Sequence, residues 1–209
     1  MYLPDHFREV DAGEIAELIA THPLACVVAQ SSAGLIANHL PLLQGKGDVL
    51  IGHVALGNDM HRIIAEGQEV LAIFRGEDGY VSPNFYPSKA EHHRHVPTWN
   101  YQVVHVHGEI AFQHDERSKR AAVGLLTSHH ERQLNGDRAW RMADAPADYM
   151  ETMLAGIVAF RINITRTIAK SKLSQNREPR DHRGAIEGLR ACGSAALAER
   201  MTRTGSRAE

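Results

Sequence analysis

Short apolar runs separated by small polar segments make up most of the first third of the chain. Four of these runs are rich in aliphatic and β-branched residues, which predicts β-strands. They cover residues 24–30, 35–43, 49–55 and 70–74. The segments 31–34 and 45–48 consist mainly of Ser, Gly and Asp, which is typical of tight turns. Turns this short favour antiparallel pairing of the strands that they join.

Longer periodic segments fill the rest of the chain. Residues 98–112 predict a long strand, and residues 156–169 predict another because Val158, Phe160 and Ile162 recur with a period of two. Residues 76–97 contain three prolines and predict a long loop of the kind that often binds ligands. Helices are predicted over residues 11–21, 115–133 and 137–153, over a short stretch that ends near residue 66, and beyond residue 179.

This order of elements predicts a β-barrel with peripheral helices, in the α+β class. A doubly wound parallel sheet would need a crossover helix after nearly every strand, and the pattern lacks those helices. We expect one barrel domain over residues 1–175, followed by a helical basic segment over residues 176–209.

Composition agrees with a folded chain, and charge divides it unevenly. The 209 residues are 43% hydrophobic and 23% charged, which argues against disorder. The net charge of −2 excludes a uniformly basic nucleic-acid binder. Residues 161–209 nevertheless hold 11 Lys and Arg against 5 Asp and Glu. A basic segment of this kind can contact DNA, a phosphate group or a partner subunit, or can form a solvated helix face.

The two cysteines and the N-terminus give no sign of secretion or membrane insertion. Cys26 lies in an apolar run and is expected to be a small buried hydrophobe, and nothing predicts a disulfide framework. The charged residues at 5–9 exclude the apolar region of a signal peptide, and no apolar run approaches the length of a membrane span. We therefore expect a cytoplasmic protein without membrane contact.

The chain has 14 histidines, and three of them crowd a loop. His92, His93 and His95 are close in sequence, but Pro87 and Pro97 argue against a helix that would align them. No HExxH or CxxC motif is present. We therefore predict no metal site and interpret this cluster as a solvated or interface loop.

Two candidate polar sites lie in the first third of the chain. Asn38 and His39 interrupt an apolar strand, either as a satisfied polar pair or as donors at the edge of a cofactor. His53 precedes a turn in which Asn58 opens a short helix and Arg62 follows one turn later. Free N–H groups at a helix start favour an anion such as phosphate, although a routine cap and a solvated arginine are the alternative interpretation.

A denser cluster of polar and aromatic residues opens the strand at 98–112. Thr98, Asn100 and Gln102 fall on one face, and Trp99 and Tyr101 fall on the other. We expect the amide face to be open to a planar heterocycle while the aromatic face packs into the core or a partner. The alternative interpretation is an ordinary strand with one face exposed to solvent and no ligand.

The last polar cluster follows the strand at 156–169. It combines a cation, a hydroxyl and two amides in the residues Lys172, Ser174, Gln175 and Asn176. This composition suits the capture of an anion or ligand, and an ordinary turn is the alternative.

Together these motifs resemble the FMN-binding negative transcriptional regulators of the PaiB type, over nearly the whole chain. The segments that carry the resemblance are Asn38-His39-Leu40-Pro41, Gly52-His53, Val96-Pro97-Thr98-Trp99-Asn100-Tyr101 and Lys172-Leu173-Ser174-Gln175-Asn176-Arg177. The resemblance implies an FMN-binding split barrel like that of pyridoxamine-phosphate oxidases, and a homodimer with FMN at the subunit interface. It further implies that Gln102 contacts the flavin ring, that the region 53–62 binds the phosphate, and that residues 172–176 close the site.

The resemblance leaves the activity open between several classes. The first is a flavin-binding transcriptional repressor that contacts DNA through its basic C-terminal segment. The second is a flavin-dependent oxidoreductase of the pyridoxamine-phosphate oxidase type, and the third is a haem-binding relative. No residue can be assigned a catalytic role, because His39, His53 and His105 are candidates only through their ability to titrate.

Overall fold

The computed structural model describes residues 1–205, and its centre is one eight-stranded sheet. The strands are β1 (Arg8–Glu9), β2 (Leu24–Ser31), β3 (Gly34–Pro41), β4 (Leu43–Gln44), β5 (Val49–Ala55), β6 (Glu69–Val81), β7 (Thr98–Gln113) and β8 (Ile157–Lys172). Their order is β3-β2-β6-β7-β8-β5-β4, with β1 paired to β8. The sheet is antiparallel and does not close on itself, which is consistent with the predicted split barrel.

Seven α-helices accompany the sheet within residues 1–205. They are α1 (Ala12–Thr21), α2 (Met60–Ile63), α3 (Lys89–His92), α4 (Glu116–Asn135), α5 (Ala147–Ala155), α6 (Pro179–Ala191) and α7 (Ala195–Gly205). Asp11 caps α1, because its carboxylate accepts hydrogen bonds from the backbone N–H groups of Gly13 and Glu14. None of these helices is both long and apolar enough to cross a membrane.

The prediction of a loop from residue 76 is wrong for its first part, because β6 continues to Val81. Polar residues and two glycines at 75–79 hide this strand in the sequence pattern. The glycines have a packing reason, since a Cβ on Gly79 would lie 2.9 Å from a methyl group of Leu197 in α7. The rest of the predicted loop contains a 3₁₀ turn at Pro83–Phe85 and the short helix α3.

The chain forms two compact units, and each is made of separate stretches of sequence. Unit 1 comprises Met1–Leu18, Arg75–Val104 and the chain from Ile168 onward, and unit 2 comprises Ile19–Phe74 and His105–Thr167. Residues 176–205 therefore belong to the same unit as the N-terminal residues. The division into two domains at 1–175 and 176–209 stays a prediction. The last four residues of the second domain lie outside the described part of the chain.

Unit 1 has a core in which α6 and α7 pack against the ends of β6 and β8. Its members are Val81, Tyr86, Leu173, Ala185, Ile186, Leu189, Leu197, Ala198 and Met201. Phe85 packs on this core because α6 presents glycines to it: a Cβ on Gly188 would lie 2.3 Å from the Phe85 ring. The turn between the helices uses Gly193 at φ 83°, a backbone conformation that glycine adopts without a steric penalty.

Unit 2 buries one face of its strands and leaves the other half-exposed. Val27 and Ala29 of β2 are buried, whereas their neighbours Cys26 and Val28 are partly exposed. Register partners on β6 continue each face, with Cys26 opposite Ile73. Helices α4 and α5 contribute buried side chains to this unit, namely Ala122, Leu126, Met150 and Leu154.

Candidate functional site

Two of the predicted motifs meet in unit 1 through the side chain of Lys172. This residue ends β8, and its ammonium donates hydrogen bonds to the Thr98 hydroxyl and to the carbonyl oxygen of Trp99, at the start of β7. Burial lowers the pKa of Lys172, and the nearby cations Lys170 and Arg177 lower it further. Lys172 as a whole remains partly exposed.

The buried amides beside this contact bind hydroxyls of the chain itself. Asn100 Nδ2 donates to Ser174 Oγ over 2.8 Å, and Gln102 Nε2 donates to Ser171 Oγ over 3.2 Å. All four residues are buried, and Asn100 Oδ1 is buried without a hydrogen-bond partner among the described residues. These bonds hold the segment after β8 against β7, so the amides order the backbone of the motif.

The segment 172–176 is a tight turn that is bound to itself. The Gln175 carboxamide oxygen accepts from Leu173 N over 2.7 Å, and its Nε2 donates to the carbonyl oxygen of Ser171. Ser174 has φ 63°, in the left-handed region that residues with a side chain seldom adopt. Asn176 is exposed and makes no hydrogen bond within residues 1–205.

The packing prediction for β7 is wrong about which face is buried. Asn100 and Gln102 face the interior, whereas Trp99 is 50% exposed on the opposite face. Trp99 Nε1 donates to Asp78 Oδ1 over 3.0 Å, and its ring meets Tyr80 edge to face with centroids 6.4 Å apart. The amides can be buried because Ser171 and Ser174 satisfy them, and spacing along one strand does not reveal partners about seventy residues away.

Sequence reasoning missed Lys170, which is buried among three aromatic rings. Its Nζ lies 5.2 Å from the ring centre of Tyr101, 5.6 Å from that of Tyr2 and 5.9 Å from that of Phe7. It also donates to the carbonyl oxygen of Tyr2 over 3.1 Å. This cation–π contact fixes the N-terminal residues beside β8, where Arg8 is the register partner of Lys170.

In unit 2, the predicted polar residues near α2 also bind one another. Asn58 Nδ2 donates to Asn38 Oδ1 over 2.9 Å, and Asn58 Oδ1 accepts from Met60 N over 2.9 Å. Asn58 therefore caps the single turn of α2 and joins it to β3. Arg62 forms an exposed ion pair with Asp59. The guanidinium predicted to meet a phosphate thus has a carboxylate partner in this structure.

The two predicted histidines of unit 2 differ in environment. His53 is half-buried on β5, and its Nδ1 is buried without a hydrogen-bond partner among the described residues. Burial lowers the pKa of His53 below its ordinary value, which favours the neutral ring. His39 is exposed on β3, opposite Cys26 in the register, and points away from the face that carries Asn38.

A buried cluster that the sequence did not predict joins the segment after β6 to α6 in unit 1. Ser88 Oγ donates to Asp181 Oδ2 over 2.6 Å and lies 2.7 Å from His95 Nε2, while Ser88 N donates to Asp181 Oδ1 over 3.1 Å. Burial raises the pKa of Asp181, but these hydrogen bonds and His95 outweigh it and leave the pKa lowered. The cluster explains why His95 is buried, and no group of three or more His, Cys, Asp or Glu side chains in residues 1–205 is arranged to hold a metal ion.

Three of the six arginines in residues 176–205 form ion pairs within unit 1. Arg180 forms ion pairs with Glu91 and Glu178. Arg200 and Arg203 bind the carboxylates of Glu14 and Glu17 on α1. The hydrogen bond from Arg203 is the largest cause that lowers the pKa of Glu17, to about 2. Much of the excess positive charge in this segment is therefore neutralised inside the chain.

Solved structures of other proteins share this fold. The FAD and heme binding protein of Mycobacterium smegmatis superposes with a TM-score of 0.59 at 19% identity, over 85% of this chain and 79% of that protein. The flavocytochrome Anf3 of Azotobacter vinelandii superposes with a TM-score of 0.58 at 14% identity, over 85% of this chain and 75% of that one. At these identities the likeness concerns the fold, and the predicted split-barrel class is confirmed.

Sequence comparison then gives the family. Residues 1–166 match the family described as "Putative FMN-binding domain". The protease synthase and sporulation protein PAI 2 of Bacillus subtilis is 33% identical over 193 residues, which are 90% of this chain and 89% of that protein. An uncharacterised protein of Emericella nidulans, AN0679, is 26% identical over 94% of this chain and 93% of its own length. The chain belongs to this FMN-binding domain family, and the recognition of the PaiB type is confirmed.

Proposed function

We propose that this protein binds FMN and that Lys172 is the main cation of the site. The carrying observation is the position of Lys172, a partly exposed cation held by the Thr98 hydroxyl and by the backbone of Trp99. A cation of this kind is what the anionic group of a ligand requires. The site therefore fits FMN, which carries a phosphate.

The proposed roles divide between contact and positioning. Lys172, Thr98, Trp99 and Asn176 have exposed or partly exposed surface and can contact the flavin. In contrast, the buried residues Asn100, Gln102 and Ser174 position the backbone, and direct contact of Gln102 with the ring stays a prediction. The predictions for the unit 2 residues Asn38, His39, His53, Asn58 and Arg62 are retained as a separate proposal. Bound FMN would supply electron-transfer chemistry, and the protein would supply orientation and hydrogen bonds.

A titration with FMN tests the proposal. We expect the purified protein to show flavin absorbance or to take up FMN at micromolar concentration. The variant Lys172→Ala should raise the Kd at least tenfold, and Lys172→Arg should recover much of the affinity because it keeps the charge. Lys46→Ala, in an exposed turn, is the matched control and should bind like the wild type. Failure of the wild type to bind FMN, or an equal loss in Lys46→Ala, would refute this function.

We also propose that two copies of the chain associate through the half-exposed face of unit 2. This face includes Val28 of β2 with its register partner Leu71, and Leu35 of the edge strand β3 is 74% exposed beside it. An apolar face of this kind is a typical protein contact surface. Leu35→Arg should convert a dimer to a monomer in light scattering, whereas Leu134→Arg, at an 80% exposed leucine of α4, should not. A wild-type monomer at micromolar concentration would contradict the proposal.

We further propose that the protein acts as a transcriptional repressor and that FMN binding regulates this activity. The internal ion pairs of Arg180, Arg200 and Arg203 reduce the basic surface available to DNA, which leaves Arg183 and Arg190 as the exposed candidates. Salt-dependent DNA binding that is weakened by Arg183→Ala and Arg190→Ala would support the role. No salt-dependent binding to promoter DNA would count against it.

An oxidoreductase and a haem protein are the competing classes. One protein of similar fold is named a FAD and heme binding protein, and another is named a flavocytochrome. The absorption spectrum of the protein as purified separates them, because haem gives a Soret band that flavin lacks. Oxidation of added reductant by the FMN-loaded protein would indicate turnover.

A further inference from the structure

Unit 2 contains a concave pocket whose lining includes none of the residues proposed above for FMN. It is formed by the C-terminal half of α4 and by the chain that returns along this helix, and it has a volume of about 830 Å³. Its polar and aromatic lining consists of Thr127, Ser128, Arg132, Asp137, Trp140 and Arg141. This volume lies within the range that small-molecule sites occupy, roughly 300–1,000 Å³.

The return segment that forms one wall is fixed by a sharp turn and by one carboxylate. Gly136 ends α4 with φ 53° and ψ −120°, a conformation that is open to glycine. The Glu131 carboxylate then accepts hydrogen bonds from the backbone N–H of Trp140 over 2.9 Å and from Asn135 Nδ2 over 2.8 Å. The bond from Trp140 is the largest cause that lowers the pKa of Glu131, so the carboxylate stays ionised and retains both bonds. These two hydrogen bonds therefore fix the position of the pocket wall.

The side chains in this pocket carry unused binding capacity. Neither Arg132 nor Arg141 forms an ion pair with any carboxylate in residues 1–205, although Asp137 also lines the pocket. Trp140 is 40% exposed, so part of its indole face is available. Thr127 and Ser128 add hydroxyl groups from α4. In contrast, half of the arginines in residues 176–205 of unit 1 are paired with carboxylates.

We propose that this pocket binds a small aromatic anion: a planar ring against Trp140, and a phosphate or carboxylate at Arg132 and Arg141. Guanidinium groups bind such anions through paired hydrogen bonds, and the indole ring offers a stacking surface. The carboxylate of Asp137 opposes the binding of an anion and lowers the affinity. The ligand class is therefore an aromatic ring that bears one anionic group, of about the size of a mononucleotide.

Tryptophan fluorescence tests the proposal directly, because the chain has two tryptophans. The variant Trp99→Phe leaves Trp140 as the sole reporter. We expect AMP to quench this emission with saturation, and adenosine or inorganic phosphate alone to bind at least tenfold more weakly. Benzoate as a second probe separates the sources of the anion: binding of AMP but not benzoate indicates a phosphate site, and the reverse indicates a carboxylate site. Calorimetry with AMP and benzoate on the unmodified protein provides the measurement if Trp99→Phe does not fold.

Variants on the same segment supply the controls. Arg132→Ala and Arg141→Ala should each weaken binding of the preferred probe at least tenfold, and Asp137→Asn should tighten it about twofold to fivefold. Arg138→Ala is the matched control, since Arg138 lies on the return segment but does not line the pocket. Equal weakening by Arg138→Ala, or no saturable binding of AMP or benzoate up to millimolar concentration, would overturn the proposal. Loss of AMP binding in Lys172→Ala would assign the probe to the proposed FMN site instead, and would also overturn it.

Discussion

Asn100 in unit 1 and Asn58 in unit 2 both looked like ligand-binding amides, yet they occupy opposite environments. Asn100 is fully buried and donates to Ser174 Oγ, whereas Asn58 is partly exposed, binds Asn38 and caps α2. The difference teaches that a polar residue can stabilise a candidate site in two ways. A buried amide fixes the backbone around the site, and a partly exposed one caps a short helix and joins it to a strand.

The largest expected effect concerns the buried amide. Asn100→Ala removes the hydrogen bond to Ser174 and leaves a space beside buried Met201, so the free energy of unfolding should fall by about 2–4 kcal/mol. Urea denaturation followed by circular dichroism measures this loss. A change below about 0.5 kcal/mol would show that the amide does not stabilise the fold.

A smaller effect is expected for the exposed amide. Asn58→Ala removes the cap of α2 and the bond to Asn38, and the free energy of unfolding should fall by about 1 kcal/mol. The same denaturation experiment provides the number. If Asn58→Ala costs as much as Asn100→Ala, the division between positioning and exposed amides fails.

A third test measures how the free energy of unfolding depends on pH through the ion pairs between α7 and α1. The pKa of Glu17 is lowered to about 2, so its ion pairs stabilise the folded state above the ordinary pKa of the carboxyl group. This stabilisation is lost as the pH falls from about 4.5 toward 2. Glu17→Gln should therefore reduce stability at pH 7 modestly and flatten the stability profile below pH 4.5. A profile with the wild-type slope would contradict the pairing.

The smallest effect on stability should follow the loss of the exposed pair in unit 2. Arg62→Ala removes an ion pair between two well-exposed side chains, which contributes little to stability because solvent screens it. The informative measurement is the Kd for FMN. Unchanged stability with weaker FMN binding would identify Arg62 as a ligand contact, whereas unchanged affinity would leave it as a surface pair.

Much of the fold could be predicted because local chemistry decides it. Asp11 caps α1 as its spacing indicates, and the apolar alternation of β5 predicts its bounds at Val49–Ala55. In contrast, the extension of β6 to Val81 depends on the packing of Gly79 against Leu197, more than a hundred residues away. The pattern of apolar residues around β6 carries no information about Leu197, so the sequence predicted a loop.

The candidate site was less predictable for the same reason. The motifs at 98–102 and 172–176 were found, and the structure joins them through Lys172, Asn100 and Ser174. Which face of β7 is buried depends on Ser171 and Ser174, whose hydroxyls satisfy the amides. The ion pairs of Arg62 and Arg180 and the aromatic rings around Lys170 likewise depend on residues brought together by folding.

The separated stretches of unit 1 impose an order on its formation during synthesis. Unit 2 is complete once residue 167 has been translated, but unit 1 still lacks the stretch that begins at Ile168. Until that stretch emerges, Tyr2 and Phe7 have no Lys170 to surround, and β1 has no register partner. The N-terminal residues, although made first, must therefore wait for nearly the whole chain, and a nascent protein stalled before residue 168 would expose them to proteases and chaperones.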